Sequence, residues 1–214
     1  MKKSFMVFCT IGLLFSSCAE NTSDNSTPKS DNQTVEEIEA IVAEYTLNPN
    51  KSSADWERTL DQKPTKQKTK LFGQIVDIEL GAVKLNSNGS ATLKDGELTT
   101  TDEALTKATV IFDMASFKIA KEKGNGLFDI KKHPNSTLIL TEITDSKANG
   151  ELTIENTSKK MNVTISSTKE NGEHILSGSF VVNTLDFPLR DKVTAKDINK
   201  DEIKVTFTLV YNQN

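Results

Sequence analysis

Between Gly150 and Ser166 the chain reads GELTIENTSKKMNVTIS, and apolar residues there fall at every second position. Leu152 and Ile154 alternate with Thr153 and Glu155; Met161, Val163 and Ile165 alternate with Asn162, Thr164 and Ser166. A period of two belongs to a strand with one wet and one dry face. The same alternation recurs through Phe72, Val76, Ile78 and Leu80, through Val110, Phe112 and Met114, and through Leu138 and Leu140. It returns in Leu176, Phe180 and Val182 and in Ile203, Val205, Phe207 and Leu209.

Polar turn signals separate these runs: Asn86-Ser-Asn-Gly89, Lys94-Asp-Gly96, Ala148-Asn-Gly150 and Glu170-Asn-Gly172. The links are mostly too short for helical crossovers, so neighbouring strands are expected to pair antiparallel. About eight such strands in one domain close as a barrel or stack as a sandwich. The longest irregular stretch, Phe117 to Pro134, is expected to hold a short helical segment capping one end. At the other extreme, Thr34-Val-Glu-Glu37 has the spacing of a capping box, with Val35, Ile38, Ile41 and Val42 on one helical face, which predicts a short helix over 35–44.

The N-terminus has a different character. Lys2 and Lys3 precede an apolar run from Ser4 to Ser16, roughly a dozen residues and short of the ~20 that span a bilayer. Ser16-Ser17-Cys18 then resembles a bacterial lipobox, which makes 1–17 a signal peptide and Cys18 a lipid-acceptor thiol. Ordinary signal-peptidase cleavage and an uncleaved anchor are the alternatives. Residues 18–34 carry no large apolar side chain after the cysteine and read as a disordered tether. The expected location is the bacterial cell envelope, outer or inner membrane, periplasmic or surface-exposed.

Cys9 and Cys18 are the only cysteines, so the folded part has no disulfide and must rely on an apolar core. The formal charge is −4, two units more negative once Lys2 and Lys3 are removed. Such a balance offers nucleic acid no electrostatic footprint. His133 and His174 are expected as exposed turn residues, and no nucleophile elbow, zinc helix, phosphate loop or EF-hand occurs. An enzyme, a metal site and a cofactor are therefore not expected.

Three stretches carry a resemblance. In the first, Asp113, Met114 and Ser116 match an Ile-Asp-Met-x-Ser strand; in the second, Phe128, Asp129 and Pro134 match a Phe-Phe-Asp-x-x-x-x-Pro segment. In the third, Gly150, Leu152, Thr153, Ile154, Thr157 and Lys159 match Gly-x-Leu-Thr-Ile-x-Gly-x-Thr-Lys. In this order over residues 45–211 they resemble the YceI-like family of exported lipid-binding proteins. Leu127 and Asn156 stand where the family has Phe and Gly, and a Gly-x-Trp that would mark a true lipocalin is missing.

The resemblance implies an all-β fold, an eight-stranded antiparallel lipocalin-like barrel over 45–214, whose lumen holds a polyisoprenoid or isoprenoid quinone. The expected lumen residues are Trp56, Phe112, Phe128, Leu138, Ile154, Val163, Phe180, Phe187 and Phe207. Burial of ~0.8 kcal/mol per CH₂ lets a long tail bind without a charged anchor. The expected partners are that apolar lipid, the membrane through Cys18, and a second copy in a homodimer. The alternative is a ligand-free barrel acting as an interaction module of the envelope.

Overall fold

The computed structural model describes residues 39–119, 127–189 and 195–214. The expected signal peptide, Cys18 and the expected tether lie outside them. Among the described residues twelve strands follow in order, every pairing antiparallel. They are β1 (Val42–Leu47), β2 (Ser53–Gln62), β3 (Thr65–Leu71), β4 (Gln74–Leu80), β5 (Val83–Asp95) and β6 (Glu97–Thr101). The second half holds β7 (Ala104–Asp113), β8 (Asn135–Thr141), β9 (Lys147–Ile154), β10 (Thr157–Glu170), β11 (Glu173–Asn183) and β12 (Ile198–Gln213).

Eight of these close a ring, β5-β2-β12-β11-β10-β9-β8-β7 and back to β5. β1 and β6 extend it at one end. The last residues of β12 leave β2 and pair with β1, with Leu47 opposite Tyr211, while the first residues of β7 pair with β6 rather than β5. Closure gives each of these eight strands a neighbour on both sides over part of its length. The expected all-β, eight-stranded lipocalin-like barrel is the observed fold.

Side-chain alternation explains why it closes. Along β2, Ala54, Trp56, Arg58 and Leu60 point inward and are buried, and their neighbours are wet. Val110 and Phe112 of β7, Leu138 and Leu140 of β8, and Val205, Phe207 and Leu209 of β12 do the same. One continuous apolar core fills the ring. Four two-residue hairpins, at Phe72-Gly73, Asp102-Glu103, Glu155-Asn156 and Asn171-Gly172, have both residues at positive φ. That geometry matches the strand twist, and Asn156 adopts it where the family has Gly.

Several sequence-based expectations differ from this. The helix over 35–44 is not formed in its described part: residues 39–41 are irregular and β1 starts at Val42. Tertiary pairing overrides the helical period, because Tyr45 and Leu47 are buried when the segment lies between β6 and β12. Residues 35–38 lie outside the described part. The described residues of the long loop, 117–119 and 127–134, hold no helix; a 3₁₀ turn, Met114–Ser116, forms just before the loop, and residues 120–126 lie outside the description. Two expected turns, at Gly89 and Gly150, are instead inside β5 and β9.

β3 and β4 leave the ring as a two-stranded arm. Its register continues that of β2 and β5: Gln62 faces Val83 and Thr65 faces Leu80, with Lys63-Pro64 against Gly81-Ala82 between. Pro64 lacks the N–H that a ladder needs at that point. On one face of the arm lie Leu71, Val76, Ile78 and Leu80; on the other, Lys66 faces Glu79 and Lys68 faces Asp77. Phe72 at its tip is fully exposed.

Candidate functional site

The two ends of the barrel differ. At the end where β7 begins, Tyr211, Tyr45, Leu98 and His174 are buried. The Tyr211 hydroxyl donates to the Thr109 carbonyl at 2.9 Å, and burial pushes its pKa far up. His174 meets Tyr45 edge-on, 4.5 Å between ring centres. Burial, and then the Lys169 charge, hold its pKa below the ordinary value, with Glu103 opposing. This end is plugged.

At the end where β7 finishes, an apolar slot lies among the strand ends. Phe112, Leu152, Ile154, Phe180, Val182, Ile203 and Val205 form its wall, and Met114, Phe117 and Phe128 come from the turns that close it. Ser136 and Thr184 also reach the wall, but both hydroxyls are used by the protein. Ser136 Oγ donates to the Thr153 carbonyl at 2.8 Å, and Thr184 Oγ1 donates to Asp201. About 30 Å³ of open space remains, room for one water.

The family-like residues build this closure. The Asp113 carboxylate accepts from the Ala115 N–H at 3.0 Å, and Ser116 Oγ donates to the Asp113 carbonyl at 2.6 Å, which fixes the turn that aims Met114 inward. Asp129 turns the chain after Phe128: its carbonyl accepts from the amides of Lys132 and His133. The hydrogen bond from Lys132 is the main reason its carboxyl sits below the usual range. Gly150 leaves room for Val163, whose Cγ2 would lie 2.7 Å from an added Cβ.

All nine expected lumen residues are buried. Phe112, Phe128, Ile154 and Phe180 line the slot. Leu138, Val163, Phe187 and Phe207 belong to the surrounding core, and Trp56 lies beside the slot. Phe117 joins these groups: its ring centre is 6.3 Å from each of Trp56, Phe112 and Phe128.

Sequence reasoning missed Met114 and Phe117 on the slot wall, and it missed a buried ion pair. Arg58 Nε and Nη2 donate to Asp201 Oδ1 and Oδ2 at 2.6 and 2.8 Å, with both side chains inside the barrel. The parity of β2 held the signal, since Arg58 follows Ala54 and Trp56 on the inward face. Among the described residues no group of three or more His, Cys, Asp or Glu could hold a metal, and no helix is long and apolar enough to cross a membrane.

The closed antiparallel ring with an apolar slot at one end defines a β-barrel of the lipocalin-like class. The YceI-like domain model matches residues 45–211, and the chain belongs to that family of lipid-binding β-barrels. The crystal structure of Burkholderia cenocepacia BcnA is similar, with 13% identity and a TM-score of 0.43 over 77% of this chain and 98% of that one. No curated protein matches.

Proposed function

We propose that this protein is a lipid-anchored envelope carrier that takes up a long apolar lipid, a polyisoprenoid or an isoprenoid quinone, by binding and without turnover. One observation carries the reading. The slot presents apolar side chains and internally satisfied hydroxyls, and its lid is made of turn residues rather than strands. Family membership and the lipobox-like Ser16-Ser17-Cys18 support the same role.

Ligand pockets typically run ~300–1,000 Å³, far above the open space in the slot. Uptake therefore requires the rings of Phe117 and Phe128 to swing out and surrender their volume to the tail. Ring displacement in turns costs less than parting a closed ladder.

The nearly filled slot favours a second reading, a ligand-free barrel that serves as an interaction module. Organic extraction and native mass spectrometry of the full chain, purified from its own membrane, separate the two. A co-purifying isoprenoid of defined mass supports the carrier. An apo protein that also stays apo after incubation with isoprenoid quinone supports the module.

A further inference from the structure

β5 is paired with β2 along its first nine residues, but β7 reaches it only from Thr92 onward. Between Val83 and Ala91 the other edge of β5 has no strand beside it among the described residues, so a wedge opens between β5 and the Met114–Ser116 turn. The wedge narrows to a point where the Thr92 N–H donates to Ser116 Oγ at 2.8 Å. It is an open groove of about 570 Å³ lined by Asn88, Ser90, Thr92, Ser116 and Lys118, with Trp56 also on its wall.

The indole of Trp56 is 2% exposed, and its Nε1–H has no hydrogen-bond partner among the described residues. A buried donor left unpaired costs about 1–3 kcal/mol, so such a group calls for an acceptor beyond those the described residues supply. Gly89 lets the indole lie there, because an added Cβ would come within 3.1 Å of Nε1. On its other side the indole stacks on Phe117, at 28° between planes. Phe117 also lines the apolar slot. The Phe117 ring thus lies between the indole on the wall of the polar wedge and the apolar slot.

We infer that the wedge is the head-group site of the bound lipid. Resting on the lipid-binding reading above, the inference places a head-group oxygen, a quinone carbonyl or an isoprenoid hydroxyl, as acceptor of the Trp56 Nε1–H. The tail passes into the slot through the space that the Phe117 ring vacates. Head and tail are then sorted by two chambers that meet at the Trp56 indole, and the ligand enters through the side of the barrel at β5.

The chain's single tryptophan makes the test direct. The ¹⁵N-labelled full chain is titrated with a decyl-substituted benzoquinone and, separately, with decylbenzene, which has the tail and no oxygen. The expected result is a shift of the one indole N–H resonance with the quinone and not with the hydrocarbon. Trp56→Phe keeps a ring over Gly89 and removes the donor; it should weaken quinone binding about five- to ten-fold and leave decylbenzene within about two-fold. An unmoved indole resonance with both probes bound, or equal weakening of both by Trp56→Phe, overturns the head-group site and leaves lipid binding standing. Failure of both probes to bind overturns the two together.

Discussion

Trp56 and Gly89 face each other across the β2–β5 ladder, and the indole lies so close over the glycine that an added Cβ would sit 2.8 Å from its Cζ2. Gly89→Ala must therefore push the indole off its seat or bend β5. Overpacking of this kind costs about 1–3 kcal/mol. Chemical denaturation should show that loss, together with a red-shifted emission from the only tryptophan. An unchanged emission maximum would mean that the seat tolerates a methyl group.

Arg58 and Asp201 form a two-pronged pair inside the barrel, with Asp201 at 0% exposure. Arg58→Leu leaves the carboxylate buried without its bidentate partner and should destabilise the fold by about 3–5 kcal/mol. Arg58→Leu combined with Asp201→Leu should recover part of that loss. A double variant less stable than Arg58→Leu alone would contradict the account. Urea midpoints of the parent protein and the two variants decide it.

His174 gives stability a pH dependence of known sign. Its native pKa lies below the unfolded value of 6.5, so the unfolded chain takes up a proton first. Stability from this group is full above 6.5 and is lost as pH falls from 6.5 through the native value. His174→Phe keeps a ring against Tyr45 and should flatten the thermal midpoint over that window. A slope equal to that of the parent protein would assign the dependence elsewhere.

Phe117 touches Trp56, Phe112 and Phe128 from a turn and not from a strand. Phe117→Ala should speed both entry and exit of an apolar ligand several-fold in stopped-flow measurements, while lowering stability by about 1–3 kcal/mol. Rates equal to those of the parent protein would show that this ring does not gate the slot.

The arm contributes little to the core, since most of its side chains are exposed. Excising Thr65–Leu80 and closing the gap with Asn-Gly should shift stability by less than about 1 kcal/mol and raise solubility by removing Phe72 and Ile75. The Lys63 N–H, which donates to the Asp197 carbonyl at 2.7 Å, is retained. Loss of cooperative melting would show that the arm supports the ring.

The period-two pattern made the barrel legible, because inward rows such as Val110-Phe112 and Val205-Phe207-Leu209 can be read from parity alone. What parity cannot tell is the partner across the ladder. Gly89 and Gly150 look like turn residues, yet they sit mid-strand to make room for Trp56 and Val163. Asp201 lies 143 residues from Arg58, so nothing local links them. Met114 and Phe117 follow the end of a strand, where alternation stops being informative. The segment at Val42 shows the opposite failure: a helical period was present, and pairing with two distant strands outweighed it.

The unbroken register through Pro64 and Gly81 makes the arm a ruler whose rungs alternate sides. Shortening it by one opposed pair would turn the tip over and present lysines where leucine and isoleucine had been; shortening it by two would restore the original aspect. Odd and even truncations of the same hairpin should therefore behave as two different surfaces.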